Sequence, residues 1–172
     1  MNSSWIKAQY SAHLYFYGFA RFIVFSTVVA LFSGCASTPE IKPPLVRRSS
    51  QSSVINYALS LQGAPYRYGK SSPEEGFDCS GFVQHVYKRY GVALPRRASD
   101  MALALPIIPK DALSSGDLVF FNTNGRPHSH VGIFIKDDKF IHAPSRRTGR
   151  VLVSSLNNRY WQKHFTGVRR PK

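Results

Sequence analysis

The hydrophobic period of this chain changes once, near Pro106, and no other feature constrains its fold as strongly. Before that point apolar residues recur at helical spacing. Val54, Tyr57, Ala58 and Leu61 form an i, i+3, i+4, i+7 stripe, with Ser52 or Ser53 as cap and Gly63 as stop. Cys79, Phe82, Val83, Val86, Tyr87 and Tyr90 mark one face of a second helix, beginning near Asp78 and ending before Gly91. Pro95 to Leu105 predicts a third, with Pro95 in its first turn and Pro106 closing it. Past Pro106 the pattern becomes short β-branched and aromatic runs, 117–121, 130–135, 140–143 and 151–154, separated by Gly, Asn, Asp and Pro. Helices followed by hairpin-linked strands predict an α+β domain with a mostly antiparallel sheet. A length of 172 residues has room for one such domain, and 43% apolar content is enough for its core.

The segment ahead of the first stripe carries no such period. Phe22–Phe32 is an uncharged, mostly apolar run behind Arg21, followed by Ser33-Gly34-Cys35. At eleven residues it is shorter than the roughly 20 needed to span a bilayer, so it reads as a secretory leader. With a cysteine directly after two small residues it resembles a bacterial lipoprotein signal. That resemblance implies removal of residues 1–34, lipidation of Cys35, and attachment to the periplasmic face of a bacterial membrane, the outer one being expected. Residues 35–53, rich in Pro and Ser, then form a tether of about 50 Å when stretched at roughly 3 Å per residue. The domain proper occupies 54–172.

Export changes the meaning of the charge. Lys plus Arg number 23 against 9 acidic residues, a net +14, which taken alone suggests a polyanionic partner. Outside the cytoplasm nucleic acid is excluded, and anionic lipid headgroups and the carboxylates of cell-wall peptides remain. Arg146, Arg147 and Arg150 are the basic cluster nearest the motifs below, and a merely solvated surface is the competing reading for them.

Two cysteines exclude a disulfide-rich scaffold and a four-thiolate zinc site. Cys79 falls in the first turn of the second helix, where free amide N–H groups and the positive end of the dipole favour a thiolate. Asp78 would oppose this if it faced the sulfur, so it is expected to point away and cap backbone amides. A thiol nucleophile requires an imidazole to take its proton and return it to the leaving amine. Among the candidates, His85 lies off the apolar stripe and is expected to be solvated, and His164 sits in a basic tail without evident role. His130 opens a strand in which Gly132 permits close approach on the same face, which makes it the expected base. His142 follows after a polar turn and would orient the ring of His130. Paired residues in an antiparallel hairpin have a constant sum, and the two histidines share a face only if that sum is even. A two-residue Asp137-Asp138 turn gives an odd sum. A three-residue loop or a bulge is therefore predicted near 136–139.

The ordered set Pro65-Tyr66-Arg67-Tyr68-Gly69, Gly76-Phe77-Asp78-Cys79-Ser80-Gly81-Phe82, Leu94-Pro95-Arg96, Gly116-Asp117-Leu118-Val119-Phe120-Phe121, His130-Val131-Gly132-Ile133 and Phe140-Ile141-His142-Ala143 resembles the NlpC family of bacterial cell-wall cysteine peptidases. The resemblance runs from Val54 to Arg170. It implies a compact papain-like fold, Cys79 as nucleophile, His130 as base, His142 as the third polar residue, and hydrolysis of amide bonds in peptidoglycan stem peptides or crosslinks by a monomer that requires no cofactor. It also implies that the Tyr66 hydroxyl lies beside the cysteine and helps hold the oxyanion with the Cys79 amide. Lys70 stands where the family often has a second glycine, the loop before Gly76 is one residue longer, and Met101 replaces a frequent glutamine. These departures bear on substrate preference. Arg96 is either part of a helix entry or a contact for a substrate carboxylate.

Two other readings compete. His128, His130 and His142 are the residue types of a catalytic zinc triad, which would make a zinc-dependent cell-wall peptidase and leave Cys79 without work. A non-catalytic peptidoglycan-binding lipoprotein would keep the groove without turnover.

Overall fold

The computed structural model describes residues 45–172, with side chains from Gln51 onward. The expected leader, 1–34, the expected lipidation site Cys35 and the first part of the expected tether lie outside the described residues.

Helix α1 (Leu45–Ser60) is followed by two short paired strands, β1 (Ser71–Ser72) and β2 (Gly76–Phe77), and then by α2 (Cys79–Lys88) and α3 (Ala98–Ala104). The second half gives β3 (Ile107–Ile108), a 3-10 turn at Lys110–Ala112, β4 (Leu118–Phe121), β5 (His130–Phe134), β6 (Lys139–His142), β7 (Leu152–Ser155), α4 (Arg159–His164) and β8 (Phe165–Arg169). Six strands form one antiparallel sheet in the order β3-β8-β4-β5-β6-β7. The fold is the α+β arrangement that the period change predicts.

Alternation along the strands divides the core in two. Leu118 and Phe120, Val131 and Ile133, and Ile141 pack with Val54, Ala58, Phe82, Val83 and Val86 of α1 and α2. Val119, Phe121, Phe134 and Phe140 face the other way, onto Trp161, Phe165 and Leu113. The first cluster is an ordinary helix-on-sheet layer. The second is a smaller aromatic layer covered by the short helix α4.

Several boundaries differ from expectation. Helix α1 begins at Leu45 and not near Val54, so the last nine residues assigned to the tether are helical. Their Arg and Ser content offers no apolar stripe, so hydrophobic periodicity is silent on this part of the helix. Helix α3 begins at Ala98 because Leu94–Arg97 are held extended: the Leu94 carbonyl accepts from Gln84 Nε2 at 2.8 Å, and Arg96 is drawn to Asp78. His85 is half-buried and not solvated, with Nε2 2.8 Å from the Tyr57 hydroxyl and its ring against Phe77, a tie between α1 and α2. Strand β8, between β3 and β4, was not expected, nor was α4. Arg169 ends β8 nearly buried, its guanidinium donating to the Ala102 carbonyl at 2.7 Å, and such a charged strand has no apolar alternation to detect.

Candidate active site

Asp78 organises the entry to α2. Its Oδ1 accepts from the Gly81 amide at 2.7 Å and its Oδ2 from the Gly69 amide at 2.8 Å. The same two oxygens take Arg96 as a fork, Nη1 to Oδ1 at 2.9 Å and Nη2 to Oδ2 at 2.6 Å. The carboxylate thus caps the helix, as expected, and joins three chain segments. Arg96 is engaged in that fork, which leaves the substrate-carboxylate reading for it without support. Gly81 is required by packing, since a Cβ there would run into the Lys70 carbonyl oxygen. The loop before the nucleophile is clamped to the helix on both sides.

Cys79, the first residue of α2, is half-buried and opens on a cavity of about 970 Å³ that His130, Tyr66, Ser80 and His128 also line. As the first helical residue its N–H has no intrahelical acceptor. Burial, and next the Asp78 carboxylate, push the thiol up to about 11, while backbone N–H groups of Val131 and Ser80 pull the other way. The resting thiol is therefore protonated at neutral pH. This corrects the expectation of a helix terminus that ionises the sulfur by itself, because desolvation outweighs the amides.

The histidines stand on the aromatic side of the sheet. Register pairs Ile133 with Ile141 and Phe134 with Phe140, an even sum, and a three-residue loop, Lys136–Asp138, closes the hairpin with Asp137 and Asp138 at positive φ. His130 and His142 consequently share a face, and His130 Nε2 lies 2.7 Å from His142 Nδ1. Gly132 allows the contact: a Cβ there would come within 2.7 Å of Phe140 Cδ2 and 3.2 Å of His142 Cβ. The close approach that Gly132 permits is to β6. Both histidines are buried, His130 at 3% exposure and His142 at 0%. Burial lowers His130 to about 4 and, with the neighbouring His130, pushes His142 down as well.

Two supports of this pair were not foreseen. Ser154 Oγ is 2.9 Å from His142 Nε2, extending the chain of hydrogen bonds onto β7. Trp161 on α4 stacks on His130, centroids 5.4 Å apart at 23°, and meets His142 edge-on at 4.9 Å. A tryptophan amid the polar residues of 157–164 was the available signal, since so large a ring calls for a packing partner.

Tyr66 borders the same cavity, its phenol raised first by burial and then by nearness to the ionisable Cys79 and Asp78. The zinc set does not converge. His128 turns its Nδ1 to Thr166 Oγ1 at 2.9 Å and its ring edge to Phe120, and among the described residues no group of three His, Cys, Asp or Glu side chains is placed to hold a metal ion.

This geometry has relatives. The family model described as NlpC/P60 family matches residues 63–170. The chain is 40% identical over 156 residues to the probable endopeptidase NlpC of Escherichia coli, covering 87% of this chain and 99% of that protein. It is 43% identical over 121 residues to murein DD-endopeptidase MepH of the same organism, 67% of this chain but only 44% of MepH. Among solved structures, an NlpC/P60 family protein from Bacillus cereus superposes with a TM-score of 0.66 at 31% identity, covering 70% of this chain and 39% of that one. The stretch matched by the family model takes in Tyr66, Cys79, both histidines and the unexpected strand β8, and the chain belongs to the NlpC/P60 family.

Proposed function

We propose that this protein is a cysteine endopeptidase that hydrolyses amide bonds in peptidoglycan peptides. The observation that carries the reading is a thiol and an imidazole on the wall of one cavity, with the imidazole held from behind by a second histidine. Relatives named murein DD-endopeptidase and gamma-DL-glutamyl hydrolase support the substrate class.

The base is competent in one of the two proton arrangements that the hydrogen-bond chain allows, since the Ser154 hydroxyl can accept from His142 Nε2 or donate to it. With Ser154 accepting from His142 Nε2–H, His142 Nδ1 is left as an acceptor for His130 Nε2–H. His130 Nδ1 then carries the lone pair. In the first half-reaction the Cys79 proton passes to this nitrogen as sulfur attacks the scissile carbonyl carbon. The thiol at about 11 and the imidazole at about 4 form a neutral pair at rest, so the charges appear together in the transition state and stabilise each other. The oxyanion is received by the Cys79 amide and the Tyr66 hydroxyl. Collapse expels the amine, which takes the proton from His130, and leaves a thioester. Water, giving a proton to His130, then attacks the thioester carbonyl, releasing the carboxylic acid and restoring the thiol.

The same proposal covers the parts of the chain outside the described residues. Cleavage after Gly34 and lipidation of Cys35 would place the domain on the periplasmic face of a bacterial membrane, the outer one being expected. A monomer suffices, because all the proposed groups come from one chain.

Release of new amino groups from purified sacculi tests the activity. The wild-type chain is expected to release them with EDTA present and to stop after iodoacetamide, and Cys79→Ala is expected to be inactive. Equal release by Cys79→Ala would remove the thiol mechanism, and inhibition by EDTA would restore the metal alternative.

A further inference from the structure

A second cavity, about 650 Å³, shares Tyr66 and Tyr68 with the one that holds Cys79. Its remaining wall includes Arg67, Lys70, Glu75 and Arg146. The single carboxylate there is already matched, Lys70 Nζ lying 2.5 Å from Glu75 Oε1. Arg67 spends one N–H on the Tyr66 carbonyl at 3.3 Å. Arg146 has no hydrogen bond or ion pair among the described residues. Its charge nevertheless reaches the Tyr66 phenol, where it opposes the upward push of burial. An exposed, unmatched guanidinium therefore stands within electrostatic reach of the tyrosine that the two cavities share.

From this arrangement we infer that the second cavity is a carboxylate subsite. It takes a free carboxylate of the peptide whose scissile carbonyl lies at Cys79, with Arg146 as the principal contact and Arg67 as the second. The inference rests on the peptidase reading above. A planar fork of N–H donors suits a carboxylate better than a point charge does, and the two arginines leave such donors unused where Lys70 is occupied by Glu75.

Binding to the Cys79→Ala chain measures the subsite without turnover. The probes are synthetic stem peptides carrying D-glutamate and a diamino acid, with all carboxyls free or with one or the other amidated. Amidation of one carboxyl is expected to weaken binding about fivefold. Adding Arg146→Ala should weaken the free peptide by the same factor and leave that amidated peptide unchanged, while Arg147→Ala, outside the cavity wall, changes neither. The carboxyl whose amidation matters identifies the source of the charge. Equal weakening of free and amidated peptides by Arg146→Ala, indifference to amidation, or no binding of any peptide overturns the inference. The wild-type amine-release assay is judged separately, so loss of the peptidase reading and loss of the subsite give different results.

Discussion

Cys79 and His130 meet at one cavity but are supported by different chemistry. Around Cys79 the support is polar and near in sequence: Asp78 is held by Gly69, Gly81 and Arg96, all within 18 residues of it. Around His130 it is aromatic and remote, with Trp161 stacked on the ring and Ser154 ending the hydrogen-bond chain through His142. A nucleophile needs its sulfur aimed by a fixed helix end, which one buried carboxylate can provide. A base needs one tautomer and a dry face, and this takes parts from several strands.

Removing the polar support should have the largest effect. Asp78→Ala leaves two amides and a guanidinium without their acceptor, and about 4 kcal/mol of stability should be lost, less the share that partial exposure of Arg96 returns to solvent. Urea unfolding reads this directly. Asp78→Asn, which keeps the cap but loses the ion pair, should recover part of it. A loss below about 1 kcal/mol for Asp78→Ala would mean that the clamp of Gly81 against Lys70 holds the helix end unaided.

The aromatic support should answer to acid. His130, buried under Trp161, titrates at about 4 in the folded chain against an ordinary value near 6.5. Between those values the unfolded chain binds the additional proton, so stability is full above about pH 6.5 and falls as pH drops toward 4, by about 3 kcal/mol for this group. Unfolding free energy measured across that range should show the slope, and His130→Phe should reduce it, leaving the share that buried His142 contributes. An unchanged slope in that variant would assign the acid response to other groups. The acid limb of activity should likewise lie below the ordinary histidine range, because protonation of His130 removes the base.

The same contrast explains which features were legible. The Asp78 cap, the position of Cys79 and the even register of His130 and His142 follow from local rules, namely first-turn chemistry and hairpin parity. Strand β8 was hidden because Arg169 and Gly167 interrupt its alternation, and its place between β3 and β4 depends on contacts far away in sequence. Trp161 and Ser154 belong to segments whose own patterns say nothing about a histidine pair. The effect of burial on Cys79 was equally invisible, since a first-turn position reports the favourable amides but not the loss of water around the sulfur.

The smallest stability effect should accompany Ser154→Ala, and it is also the most specific test of the remote support. Losing one hydrogen bond at a half-buried site costs about 1 kcal/mol. The chemical consequence is larger, because without an acceptor at Nε2 the His142 ring no longer favours the tautomer with Nδ1 as acceptor. In the reversed tautomer His142 Nδ1–H donates to His130 Nε2, and the His130 proton moves to Nδ1, the nitrogen needed to receive the thiol proton. The variant should therefore lose about tenfold in kcat with little change in KM, the pattern of a base held in the wrong protonation geometry. Ser154→Thr keeps the hydroxyl and should restore kcat. Nitrogen-15 NMR of the imidazoles should show Nε2–H for both histidines in the wild-type chain and a mixture in Ser154→Ala. If kcat falls while both rings keep Nε2–H, Ser154 acts only through packing, and the base is oriented by His142 and Trp161 alone.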